Sequence, residues 1–245
     1  MPNNYFQFRQ FTVYQDKCAM KVCTDACLFG AVTALLFAEK GHALRMLDIG
    51  TGTGLLALMF AQKNNNAVID AVEIDGTAAQ QAAVNFAASP WIENITVHHS
   101  SIQGFTQSRQ LPSQTYNLVI SNPPFFEHDL KSSDVKRNLA LHSAELSLEA
   151  LLSCTASLLS DDGVFGVLLP WHRTDWFEKF AAGKGFHCIK KFSVKQTPQH
   201  SYFRSILFFS RVAGATFNEE IIIKDESNVY TAAFTALLKD YYLYL

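Results

Sequence analysis

Residues Asn122 to Phe126 read NPPFF and follow directly on YNLVIS, an apolar run of strand character. The side-chain oxygen of Asn122 accepts hydrogen bonds, and Pro123 keeps a carbonyl while lacking an N–H. Two acceptors at one strand end suit a planar NH2 group, which has two hydrogens to give. Such an amine is a poor nucleophile, because its lone pair is delocalised into the ring. Holding both N–H bonds out of plane localises that pair and aims it at an electrophile, with no strong base required. Pro123 and Pro124 stiffen the turn, and Phe125 and Phe126 offer rings for a planar substrate. N-P is also a common start for an ordinary turn. The motifs upstream decide between the two readings.

The first is LDIGTGTGLLAL, residues 47–58. A strand, a tight glycine turn and a helix make a nucleotide-cofactor loop, because glycines let a ligand approach the backbone closely. A dinucleotide site spaces its glycines G-x-G-x-x-G. Here Gly50, Gly52 and Gly54 give G-x-G-x-G, behind the acidic Asp48. A carboxylate there repels a pyrophosphate and welcomes an ammonium group, which points to S-adenosylmethionine. The second motif, AVEID, ends the next strand some twenty residues later. Glu73 is placed to accept from a ribose diol. Asp75 competes for that role and equally suits a helix N-cap, while Ile74 would flank an adenine. At the end of the third strand, HHSSI brings Ser100, Ser101 or Ile102 within reach of the base.

The elements that must position these residues alternate. FQFRQFTVY reads as a strand or hairpin, and Thr24 as the N-cap of a helix. Strands follow at ALRMLDI, AVIDAVEI, NITVHH, YNLVIS and VFGVLLP, with helices between them. The helix before VFGVLLP stops at DDG. FHCIKKFSV and SYFRSILFFS are expected as an antiparallel edge pair, and YTAAFTALLKDYY as a last helix. This order argues for an α/β fold: a doubly wound, mostly parallel sheet covered on both faces. One domain over 1–245 is expected: an N-terminal extension (1–40), a catalytic core (41–211) and a C-terminal segment (212–245).

The totals agree. The 245 residues are 49% hydrophobic and 17% charged, which excludes a disordered chain. No basic start precedes an apolar run, and no apolar run reaches membrane-spanning length, so a soluble, cytoplasmic protein is expected. Five scattered cysteines read as reduced thiols. The gaps among Cys18, Cys23 and Cys27 fit no zinc pattern, so no metal is expected. Net charge is −2, yet Lys179 to Asn218 contains no acid. Lys190, Lys191 and Arg204 in that window, with Lys131, Lys136 and Arg137 after NPPFF, are candidate contacts to phosphates.

These motifs together resemble the class I S-adenosylmethionine-dependent methyltransferases that modify planar nitrogens, whose hallmark is [ND]-P-P-[YFW] after the fourth strand. The resemblance covers nearly the whole chain. It implies a seven-stranded Rossmann-like sheet with the last strand antiparallel. FRQFTVYQDKCAMKVCTDACLFGAV, the doubled aromatic of NPPFF and LHSAELSLEALL are similar to the bacterial tRNA-valine adenine-37 N6-methyltransferases. That family implies transfer to the 6-amino group of adenine in tRNA, with Phe125 or Phe126 holding the base. It also implies a TDA segment that closes over the cofactor, which gives Thr24 and Asp25 a role beyond helix capping. Relatives often carry an Asp near the third strand tip, where this chain has Ser100 and Ser101. Methylation of another RNA base or of a release-factor glutamine is the alternative, and an RNA-binding protein with a relict cofactor fold is the non-enzyme one.

Overall fold

The computed structural model describes residues 3–18, 20–38, 44–108, 115–124 and 146–245. Strands β1 (Tyr5–Gln7) and β2 (Thr12–Tyr14) form an antiparallel hairpin. Helix α1 (Thr24–Phe37) comes next. Then come β3 (Arg45–Ile49), α2 (Leu55–Lys63), β4 (Val68–Glu73), α3 (Gly76–Ala87), β5 (Ile95–His99), α4 (Ile102–Ser108) and β6 (Tyr116–Ser121). After residue 146 come α5 (Leu148–Leu158), β7 (Leu159–Pro170), α6 (Thr174–Ala182), β8 (His187–Lys195), β9 (Tyr202–Ser210), β10 (Phe217–Ile222) and α7 (Ala232–Leu238).

Eight strands make one sheet in the order β10-β8-β9-β7-β6-β3-β4-β5. Strands β3 to β7 run parallel, and β9 is antiparallel to both its neighbours, β7 and β8. Near-continuous apolar strands such as β3 and β6 are what a sheet covered on both faces requires. One core holds α1, α2 and the hairpin against the sheet; a second holds residues of α4, α5 and α6. Helix α1 is buried on nearly every side, consistent with its apolar composition all round.

Three expectations need correction. The sheet has an eighth strand, β10, parallel to β8 at the edge, where the C-terminal segment was expected to supply only a helix. Its residues are exposed up to Glu220, so no apolar alternation marks it. DDG does not end the preceding helix; it lies inside β7. The register steps from Tyr116↔Leu159 to Leu118↔Val164, so Ser160 to Gly163 bulge out of the ladder. Thr24 is the first helical residue of α1; the N-cap is Cys23, with no side-chain cap.

Two features of the sheet position the residues at its rim. Ser121 at the end of β6 pairs with Val167, and β7 continues for three residues to Pro170 against Arg204 of β9. That extension makes a wall rising about 10 Å above the end of β6. Below it, the buried Asp70 of β4 gathers its neighbours: the Tyr116 hydroxyl donates to it at 2.7 Å, His98 Nε2 lies at 2.7 Å and Arg45 at 3.4 Å. These come from β6, β5 and β3, so one carboxylate ties four strands. Tyr116→Phe should destabilise the chain by about 1–3 kcal/mol, the value of a hydrogen bond to a charged group. Urea unfolding checks this; an unchanged midpoint would show that the hydroxyl adds nothing.

Candidate functional site

The glycine turn after β3 is built by backbone. The N–H groups of Gly50 and Thr51 donate to the Val72 carbonyl at 2.8 and 3.1 Å, so the turn is stitched to β4. Gly50, Gly52 and Gly54 all have positive φ, at 72°, 56° and 81°. A Cβ on Gly54 would lie 2.3 Å from the Phe86 ring, whereas one on Gly50 or Gly52 would meet nothing within 4 Å. The turn is therefore packed behind and open in front. Glu73, 8% exposed, accepts from Gly52 N–H with one oxygen and from Asp75 N–H with the other, both at 2.9 Å. Each oxygen keeps a further lone pair for a ligand. Asp75 caps α3 by accepting from Ala78 N–H, and Ile74 between them is 56% exposed.

Asp48 is wholly buried. One oxygen accepts from the Thr51 hydroxyl at 2.7 Å, and the other has no partner. Burial pushes its pKa up to about 7, with the Glu73 charge adding to the rise and the Thr51 hydroxyl and the Ala57 N–H at the start of α2 opposing it. Asn122 comes directly after β6, whose end is tied to β3 by a bond from Ser121 Oγ to the Ile49 carbonyl. The Asn122 side-chain oxygen is buried and likewise unpartnered. Asp48 pairs with Ile120, two residues before Asn122, so both unpaired acceptors lie near the carboxyl ends of adjacent strands. The other unpaired buried polar atoms among the described residues belong to Thr33, Arg45, Gln62 and Thr155, on α1, the start of β3, the end of α2 and α5. A buried acceptor without a donor costs about 1–3 kcal/mol. Two at one strand rim, beside an open glycine turn, fit a ligand that brings an ammonium group and N–H donors.

The remaining expected residues are spread more widely. Ser101 Oγ accepts from Gly104 N–H at 3.0 Å, and Ser100 Oγ donates to the Ser101 carbonyl. Ile102 is 4% exposed and packs in the second core. Pro123 is buried and Pro124 exposed. Phe125, Phe126, Lys131, Lys136 and Arg137 lie outside the described residues. The acid-free window is not a bare positive face: Lys190 pairs with Glu219 at 3.5 Å, Lys191 with Glu178 at 2.9 Å and Lys195 with Glu220 at 3.0 Å. Arg204 reaches Asp25 at 2.7 Å. β10 beside β8 supplies two of these acids, which sequence distance had hidden.

Three contributors escaped the sequence reading. Thr51 holds Asp48. Asn85 and Gln81, buried four apart on α3, hold the N-terminal segment. Asn85 Oδ1 accepts from Tyr14 N–H, and its amide donates to the carbonyls of Tyr14 and Thr53. Gln81 accepts from Lys17 N–H at 3.4 Å. Their i, i+4 spacing within an alanine-rich helix was the available signal.

Because Asp48 holds its proton more tightly folded than unfolded, its contribution to stability falls as pH rises from about 4 to about 7. The unfolding midpoint of Asp48→Asn should therefore gain on the wild type across that range; a gap constant with pH would contradict the raised pKa. Gly54→Ala should cost more stability than Gly50→Ala, by about 1–3 kcal/mol for the added clash with Phe86. Equal thermal shifts would count against that packing.

The family model described as "Methyltransferase small domain" matches residues 29–150. A Dyadobacter fermentans protein named tRNA1(Val) (adenine(37)-N6)-methyltransferase is 41% identical over 99% of both chains. One of the same name from Citrobacter koseri is 39% identical over 99% of this chain and 96% of its own. Among solved structures, a predicted O-methyltransferase from Agrobacterium tumefaciens matches with TM-score 0.66 at 16% identity, covering 88% of this chain and 96% of that one. At that identity the likeness is one of fold. Sequence identity near two residues in five, sustained along nearly the whole of both chains, makes this chain a member of the tRNA1(Val) (adenine(37)-N6)-methyltransferase family.

Proposed function

We propose that the protein transfers a methyl group from S-adenosylmethionine to the 6-amino group of adenosine 37 in a valine tRNA. The observation that carries this is the buried, unpartnered oxygen of Asn122 just after β6, one strand over from the unpartnered oxygen of Asp48. Bound S-adenosylmethionine supplies a methyl group made electrophilic by its sulfonium.

The chain's own residues bind and orient. Asp48 sets negative potential beneath the open glycine turn of Gly50, Gly52 and Gly54. Glu73 offers its spare lone pairs to a ribose, and exposed Ile74 covers an adenine. Ser101 and Ile102 close the far side, Ser101 with a hydroxyl proton still to donate. Asn122 Oδ1 and the Pro123 carbonyl accept both hydrogens of the target amine and draw its lone pair out of conjugation. Pro124 fixes the turn, and Phe125 and Phe126 stack on the base. An adenosine in an unpaired loop can be splayed out to reach them.

Lys131, Lys136 and Arg137 are the proposed phosphate contacts. Lys190 pairs with an exposed Glu219 at small value, so it can exchange a carboxylate for a phosphate at little cost, whereas Lys191 is half-buried against Glu178 and gives up more. Arg204, with Asp25 mostly buried against it, gives up more by doing so. No described helix is long and apolar enough to cross a membrane; this reading puts the enzyme in the cytoplasm with its tRNA.

Labelled S-adenosylmethionine and unmodified tRNA, followed by nuclease digestion, test the assignment. Label should appear in 6-methyladenosine. Asn122→Ala should lower the rate by about 10²–10³-fold, the scale of losing one positioned transition-state partner, with cofactor affinity nearly unchanged. Unlabelled RNA from an enzyme that binds the cofactor would transfer the assignment to another acceptor, with release-factor glutamine next in line.

A further inference from the structure

The end of β7 and the helix behind it carry a surface that the proposed chemistry leaves unused. Trp171 comes after Pro170 at the top of the wall beside β6, and its ring lies 4.6 Å from that of Tyr202 at the start of β9. The chain then turns into α6. Arg173 stands at the N-cap of α6, Trp176 and Phe180 lie four apart on it, and Lys184 follows just beyond its C-cap. The Arg173 guanidinium lies 5.1 Å over the Trp176 ring, and Lys184 Nζ lies 5.9 Å over the Phe180 ring. The two rings between them are stacked, 5.5 Å apart with planes 7° from parallel.

Of this stripe only Phe180 is partly buried against the core. Phe177, from the same turn as Trp176, is fully buried and fills the core, while Trp176 is 41% exposed. Arg173 and Lys184 are exposed and have no carboxylate at ion-pair distance among the described residues. They differ in this from Lys190, Lys191 and Arg204. Cations that track phosphates, interleaved with rings that accept bases, are the recognition chemistry of unpaired nucleic acid. A protein-binding patch has instead an apolar centre depleted of charge. The stripe also starts at the carboxyl end of the sheet, the end where Asn122 stands.

We propose that Arg173, Trp176, Phe180 and Lys184, approached past Trp171 and Tyr202, bind unpaired anticodon-loop nucleotides adjoining the methylated base. This rests on the tRNA reading above. A base would replace the Arg173 guanidinium over the exposed Trp176 ring, and the displaced Arg173 and Lys184 would take phosphates on either side.

The test measures binding of unmodified valine tRNA, and of its isolated anticodon stem-loop, at several salt concentrations. Trp176→Ala should weaken binding about tenfold, and Trp176→Phe should recover most of the loss. Arg173→Ala with Lys184→Ala should flatten the dependence of log affinity on log salt by roughly 1.4, for two phosphate contacts on a single strand. Thermal midpoints show that the variants are folded, and Trp176→Phe reports on stacking even if alanine proves disruptive. If the wild type binds and methylates tRNA while every variant matches it in affinity and salt slope, the stripe is not the loop site. Variants that lose affinity only for a release-factor protein would overturn the proposal in the same way. A wild type that neither binds nor methylates tRNA overturns the tRNA reading itself, and this inference with it.

Discussion

One carboxylate sets the geometry of the site. Glu73 closes β4 and receives the N–H of Gly52 on one oxygen and that of Asp75 on the other. The turn after β3 and the start of α3 are thereby fixed to a single buried group. A buried charge is tolerated only when it is hydrogen-bonded, and bonds to an ionised acceptor are the strong kind. The glycine turn needs that strength, because it has three residues at positive φ and almost no side chain to anchor it.

The N-terminal segment is tied at two distant places. Asn85 of α3 holds Tyr14 through both backbone groups and holds Thr53 of the glycine turn as well. At the other end, Asp25 in the first turn of α1 pairs with Arg204 of β9. In the sheet order, β3, β6 and β7 lie between β4 and β9. The chain between Tyr14 and Asp25 therefore joins the two sides of the rim where Asp48 and Asn122 stand. These two ties fix the segment at both of its ends. Cys18 lies along it, close enough to Glu73 and Asp75 that their charges add to the burial holding its thiol up at about 11.

Charge shows how far sequence distance can mislead. The window from Lys179 to Asn218 contains no acid, yet its strands are bordered by carboxylates from Glu178 before it and Glu219 and Glu220 after it. Parallel pairing of β10 with β8 lays those last two directly against the lysines. Arg173 and Lys184, at the two ends of α6, have no such partner among the described residues and sit over aromatic rings instead. The lysine–carboxylate pairs lie at the surface, half-buried, and the pairing on β8 shapes the surface potential.

The sequence by itself determined the alternation of strands and helices, the reversed strand near the end, the open glycine turn, the acid at the end of β4 and the amide at the end of β6. Each is written in residues close together in the chain, because turns, caps and strand periods are local demands of the backbone. Only the tertiary structure decided which polar groups are satisfied. Thr51 takes one oxygen of Asp48 and leaves the other bare; Asn85 commits its amide to the N-terminal segment; β10 neutralises lysines that looked free. Strand pairing brings together residues far apart in the chain, and hydrogen bonds and ion pairs depend on that juxtaposition rather than on spacing along the sequence.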